Sequence, residues 1–251
     1  MIYSFEGVDV NYQLVNFNKK TKQKGLLPIV FLHGWSCSLK HFMFCAKNLK
    51  NHPCVLIDFP PFGKSKPLLS VWSVKDYTRL VINLCLHLNI LKANFVAHSF
   101  GGRVAIELAS KTSIVNKMIL TSSAGINKRR LKIKIKEIFF KFKKFLFKLK
   151  LYPQSKLQKA GSEDYKKLSP LMKQTFVKIV NYNQTNLLNK IIAPTLLFWG
   201  KQDKETPFYF TKIFKKHIKD CEVISFNNLG HFAYMQKPST FIKVIDYFFK
   251  D

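Results

Sequence analysis

Residues 95–103 read Phe95-Val96-Ala97-His98-Ser99-Phe100-Gly101-Gly102-Arg103. An apolar, strand-like run ends on one serine, a helix-like run follows, and small residues stand two places before and two places after it. A turn that tight lets neighbouring backbones approach and leaves the Ser99 hydroxyl standing above the chain. The helix that follows offers its first N–H groups to developing negative charge. This strand–serine–helix context is the one in which a G-x-S-x-G element acts as a nucleophile elbow. Ala97 stands here where that pattern has its first glycine.

Working outward, short apolar runs bounded by turn residues recur at 28–32, 54–58, 94–98, 117–123, 194–200 and 221–226. Helical periodicity lies between most of them, at 74–89, 103–110, 208–218 and 239–250. Alternating short strands and helices imply parallel βαβ units with right-handed crossovers. The start of the chain differs. Val8, Val10, Tyr12 and Leu14 alternate with polar residues, the pattern of an antiparallel hairpin. The βα alternation breaks between about 124 and 190, so that lysine-rich, helical stretch reads as an insertion between two parts of one sheet.

Serine is a weak nucleophile near neutral pH and needs a base and an orienting acid. His231 lies in the Leu229-Gly230-His231-Phe232 loop after the last strand-like run. Asp203 lies in the loop that follows Trp199-Gly200, with Glu205 as the rival acid two residues further on. The order Ser99, Asp203, His231 is the one expected when elbow, acid loop and base loop sit on successive parallel strands. Leu32-His33-Gly34-Trp35 ends an early strand at a glycine turn, so the backbone amides of Trp35 and Phe100 are the expected oxyanion donors. His33 and His98 stand at strand ends, where an imidazole satisfies backbone groups. His41, His52, His87 and His217 have no constellation around them.

With these pieces in place the chain resembles the α/β-hydrolase superfamily. The matching blocks are Leu32-His33-Gly34-Trp35, the 58–65 loop Asp58-Phe59-Pro60-Pro61-Phe62-Gly63-Lys64-Ser65, Ala97 to Gly102, Trp199 to Asp203, and Gly230-His231. They come in the family's order and span residues 30 to 240. Two positions depart from its pattern: Ala97, and Pro61 where the D-x-P-G-x-G-x-S loop has glycine. The resemblance implies a mostly parallel central sheet flanked by helices, with residues 1–123 and 191–251 as the core and 124–190 as a helical cap that sets substrate choice. It further implies hydrolysis of a carboxylic ester through an acyl-enzyme, with no metal and no organic cofactor. Three other functions remain in view: an esterase for acyl groups on a carrier protein, of the pimeloyl methyl-ester type; a carbon–carbon bond hydrolase; and a non-catalytic binding protein of this fold. The Phe62-Gly63-Lys64-Ser65 tail of a phosphate-binding loop is discounted, because its leading glycine would fall at Asp58.

Composition bounds the rest. A chain of 251 residues can bury a sizeable core. No apolar run reaches the roughly 18 residues of a membrane span, and the first residues have no signal-peptide pattern. Cys37, Cys45, Cys54, Cys85 and Cys221 are odd in number and carry no metal-ligand spacing, which reads as reduced thiols of a cytoplasmic protein. The net charge of +28 is uneven, since residues 127–173 carry +13 of it. Within 131–151, lysines recur at heptad spacing (Lys134, Lys141 and Lys148 in one column) beside two apolar faces. That pattern suits two arrangements: a partner surface for an acidic carrier protein or an anionic membrane, or a face covered by other cap helices such as 168–180, with the lysines reaching into solvent. Nucleic acid is not expected, because the 131–151 stretch holds no arginine for bidentate base contacts.

Overall fold

The computed structural model describes residues 1–18, 26–126, 165 and 168–250. Eight strands form one sheet in the order β1-β2-β4-β3-β5-β6-β7-β8. The chain opens with the expected hairpin, β1 (Ile2–Phe5) and β2 (Val8–Val15), paired antiparallel. Its two-residue turn, Glu6-Gly7, has positive φ at both positions (50° and 78°), the geometry that matches strand twist in tight hairpins. β2 then runs antiparallel to β4.

The remaining six strands are parallel: β3 (Ile29–Leu32), β4 (Cys54–Ile57), β5 (Ala93–His98), β6 (Val115–Thr121), β7 (Thr195–Gly200) and β8 (Cys221–Phe226). Each lies within two residues of the run read from the sequence. The helices among the described residues are α1 (Lys40–Asn48), α2 (Val74–His87), α3 (Phe100–Lys111), α4 (Pro170–Asn181), α5 (Phe210–His217), α6 (Ala233–Gln236) and α7 (Pro238–Phe248). A 3₁₀ turn covers Thr185–Lys190. α1 was not among the expected helices, although Phe42, Cys45, Ala46 and Leu49 give it a buried face at i, i+3, i+4 and i+7.

Strand residues alternate between two cores, as a sheet covered on both faces requires. Val30, Leu32, Val55, Ile57, Phe95, Ala97, Leu120 and Trp199 face the larger core, shared with α2, α3 and α5. Ile29, Phe31, Cys54, Leu56, Val96, Ile119 and Phe198 face the smaller one, with Phe42 of α1 and Phe241 and Ile245 of α7. From β3 the chain moves one way to β4, then returns to place β5 on the other side. Crevices that bind ligands open at such a reversal, outside the C-terminal strand ends. The loops leaving β3 and β5 carry Gly34-Trp35 and Ser99-Phe100, so topology alone brings the predicted oxyanion and nucleophile loops together. All five cysteines are free and buried. Among the described residues no helix is long and apolar enough to cross a membrane.

Candidate active site

Ser99 leaves β5 with φ 49° and ψ −107°, a backbone conformation disfavoured for any residue but glycine. Such strain costs on the order of 1–3 kcal/mol and persists only where the surroundings impose it. Here they do. The Ser99 amide donates to the Thr121 carbonyl at 3.2 Å, and the Ser99 carbonyl accepts from Gly102 and Ala124, each at 3.0 Å. The first turn of α3 lies so close to β3 that a Cβ on Gly101 would collide with the Leu32 carbonyl, and one on Gly102 with Ser123 Oγ. Ala97, fully buried in the larger core, fits where the pattern has glycine.

Opposite the elbow, His231 Nδ1 lies 2.9 Å from Asp203 Oδ2. Asp203 is almost wholly buried and bonded through both oxygens. Oδ1 accepts from the amides of Glu205 (2.9 Å) and Thr206 (2.8 Å), and the Thr206 hydroxyl sits 2.7 Å from Oδ2. Burial pushes the Asp203 carboxyl up, but the His231 bond and charge and the Thr206 bonds outweigh it and hold the group below the usual carboxylate range. An ionised Asp203 fixes the proton on Nδ1 and leaves the Nε2 lone pair free to take one. Glu205 occupies the other side of the ring, with Oε2 at 3.6 Å from Nε2 and its side chain 72% exposed. Of the two acids weighed from the sequence, Asp203 is thus the one bonded to Nδ1.

Ser99 and His231 line one cavity of about 720 Å³ together with Trp35, Phe100 and Glu205. Among the described residues neither the Trp35 nor the Phe100 amide finds a protein acceptor. The Gly34–Cys37 turn is closed by the Cys37 amide on the Gly34 carbonyl at 3.1 Å. The Trp35 ring packs edge-on against Phe62 (4.9 Å) and Phe100 (5.6 Å), which ties the two candidate donor loops together.

His33 and His98 bond backbone groups. His33 Nδ1 lies 2.7 Å from the Gly34 carbonyl while Nε2 accepts from the Phe59 amide at 2.8 Å; burial lowers its pKa to about 4. His98 Nδ1 lies 3.1 Å from the Thr121 carbonyl, and its ring packs 4.8 Å from that of His231. Burial first, then the neighbouring His231, holds it well below the ordinary histidine range.

Three contributors escaped the sequence reading. Thr206, three residues past Asp203, braces the acid, and a threonine that close to an acid-loop carboxylate was a readable signal. Phe176, Ile179 and Val180 of α4 form one wall of the cavity, and Phe176 packs 5.2 Å from Trp35. Arg103, one turn into α3, lines the same cavity and bonds the end of α4. An open groove of about 650 Å³ also lies against α4, lined by Val71, Lys173 and Val177, away from Ser99, Asp203 and His231. Among the described residues no group of three His, Cys, Asp or Glu side chains is placed to hold a metal ion. Lys134, Lys141 and Lys148, the expected partner surface, lie outside the described residues.

Comparison with known proteins agrees with this architecture. Residues 28–133 match the family model for the alpha/beta hydrolase fold. The chain is 24% identical to the uncharacterized hydrolase YugF of Bacillus subtilis, over 99% of this chain and 97% of that protein. It is 25% identical to the monoacylglycerol lipase abhd6-A of Xenopus laevis, over 94% and 78%. Among solved structures, MGS-M2, an alpha/beta hydrolase from a Medee basin deep-sea metagenome library, superposes with a TM-score of 0.78 at 23% identity, covering 100% of this chain and 98% of that one. The family model over 28–133 and the superposition along the whole chain show the α/β-hydrolase fold. Lipase 1 of Psychrobacter immobilis is a further similar protein, 23% identical over 81% of this chain and 71% of that protein.

Proposed function

We propose that the protein is a serine hydrolase that cleaves a carboxylic ester through an acyl-enzyme on Ser99. The observation that carries this reading is the bond between buried Asp203 and His231, 2.9 Å long, with His231 lining the same cavity as Ser99. Ser99 Oγ attacks the ester carbonyl as its proton passes to His231 Nε2. The tetrahedral oxyanion rests against the Trp35 and Phe100 amides, where one lost donor raises the barrier by roughly 3–4 kcal/mol. His231 returns the proton to the departing alcohol, and water repeats the cycle to free the acid. Asp203 keeps the imidazole tautomer and stabilises the imidazolium.

The apolar wall and the lipase and esterase names among the relatives favour an acyl chain of some length. Residues 124–190, which include α4, are the cap in this reading, and the five buried free thiols support a cytoplasmic location. The lysines of 127–173 would then meet an acidic carrier or an anionic membrane. A steep fall with salt in the turnover of a carrier-bound ester, but not of a small neutral one, is the sign of that contact.

The test is turnover of p-nitrophenyl esters of graded chain length by the wild type and by Ser99→Ala. Hydrolysis that Ser99→Ala abolishes is expected. Equal rates in the two proteins, with both folded, would overturn the reading.

A further inference from the structure

The end of α4 is tied to α3 by side-chain hydrogen bonds. The last carbonyls of a helix lack intrahelical partners and carry the negative end of its dipole. In α4 two of these carbonyls are claimed from the neighbouring helix. Arg103 Nη1 donates to the Tyr182 carbonyl at 2.6 Å and Nη2 to the Val180 carbonyl at 3.3 Å. The contact is reciprocal: Gln184 Nε2 donates to the Arg103 carbonyl at 2.8 Å, and the Tyr182 hydroxyl to Glu107 Oε2 at 2.8 Å. Arg103 is only 7% exposed. Burial lowers its pKa to about 10, which leaves it charged at neutral pH. Among the described residues no carboxylate pairs with it, so the helix-end carbonyls are what balance its charge.

We infer that Arg103 is a positioning residue that latches α4 to the nucleophile helix and thereby sets the acyl-chain selectivity of the cavity. This inference rests on the ester-hydrolase reading. Arg103 stands four residues after Ser99, one turn along α3, so the anchor and the nucleophile belong to one rigid element. The clamped end of α4 is also the cavity wall: Phe176, Ile179 and Val180 share one helical face, and Val180 supplies both wall and accepting carbonyl. Among the described residues the hydrogen bonds that hold Ser99, Asp203 and His231 come from Thr121, Gly102, Ala124, Gly200, Glu205 and Thr206 and from one another, and none comes from α4. Loosening the latch therefore moves the wall and leaves the floor in place. A long acyl chain feels that movement through KM; a two-carbon chain scarcely reaches the wall.

The experiment compares the wild type with Arg103→Met, which keeps most of the side-chain bulk, and Arg103→Lys, which keeps the charge and a donor. kcat and KM are measured separately for p-nitrophenyl acetate, p-nitrophenyl octanoate and a p-nitrophenyl ester of adipic acid, with hydrogen exchange across residues 172–181 read on the same proteins. In Arg103→Met the octanoate-to-acetate ratio of kcat/KM is expected to fall about tenfold, mainly through octanoate KM, with faster exchange in α4. Arg103→Lys should lie between. Equal loss for both neutral esters, or an unchanged ratio, would overturn the latch. So would a loss confined to the adipate ester, which would make Arg103 a substrate-binding group instead. If Arg103→Met does not fold, Arg103→Lys decides, and a wild-type ratio in it would overturn the inference. Wild-type inactivity on every ester would count against the hydrolase reading alone. The exchange data would then judge the latch, with unchanged α4 exchange in the variants the result against it.

Discussion

The floor and the wall of the cavity are built on different principles. The floor is polar, and its geometry is set by backbone. Ser99 is forced into a strained turn by three main-chain hydrogen bonds and by the close approach of α3 to β3, and Asp203 is bonded through both oxygens within its own loop. The wall is apolar, formed by Phe176, Ile179 and Val180 of one helix, and held by side-chain contacts of Arg103, Tyr182 and Gln184. A floor built this way serves any substrate with the right reacting group. A wall built that way chooses among them. Changes to the floor should thus lower kcat for every ester alike, and changes to the wall should act through KM and depend on the acyl chain.

The largest expected effect is on the floor. Asp203→Asn would leave the Nδ1 position occupied but favour the wrong imidazole tautomer, and kcat should fall by ~10⁴, the loss known for the corresponding change in a serine protease triad. Stopped assays with acetate and octanoate esters should show the same factor for both; a chain-length-dependent loss would break the floor–wall division. Next in size is the wall. Phe176→Ala removes a ring packed on Trp35, and kcat/KM for a p-nitrophenyl octanoate ester should drop about tenfold, the order of one lost apolar contact of 1–3 kcal/mol. The acetate ester should lose less, and equal losses would contradict the assignment of α4 to acyl binding.

Floor stability should also depend on pH in a stated direction. His33 and His98 are buried and neutral in the fold, His33 with its pKa lowered to about 4 and His98 well below the ordinary value, in both cases chiefly by burial. In the unfolded chain each takes a proton below about 6.5. The unfolded state therefore binds more protons between about pH 6.5 and 4, and stability is present above that window and lost as pH falls through it. Unfolding free energies from urea titrations at pH 7.5, 6 and 5 should decline by up to about 1.4 kcal/mol per pH unit per histidine. A flat profile would contradict the neutral, backbone-bonded state of both rings. The smallest effect belongs to Glu205→Gln. Its carboxylate is 72% exposed and stands 3.6 Å from Nε2, beyond hydrogen-bond distance, so kcat should change less than threefold. A loss comparable to that of Asp203→Asn would exchange the roles of the two acids.

What could be read from the sequence follows the same division. The floor consists of short motifs whose residue types are dictated locally: small residues around Ser99, a glycine turn before Trp35, an acid and a histidine each in a loop after an apolar run. The strands were equally legible, because being buried on both faces makes them nearly continuous apolar runs. The wall was not legible. α4 lies where the βα alternation stops, and its Phe176, Ile179 and Val180 read as an ordinary amphipathic face until the fold shows what they meet. Arg103 was invisible for a related reason, since its partners are carbonyls 77 and 79 positions away, and a backbone carbonyl has no signature in sequence. Helix α1 was missed although its period was present, because its lysines and aromatic residues obscure a short apolar face.

The most direct test of the central assignment is labelling by a fluorophosphonate, which reacts only with a serine activated by its base. After digestion, mass spectrometry of the labelled wild type should place the adduct on Ser99 alone. His231→Ala should slow labelling by orders of magnitude, and Ser99→Ala should prevent it. An adduct on another serine, or labelling of Ser99 at the same rate without His231, would contradict the claim that these residues form one catalytic unit.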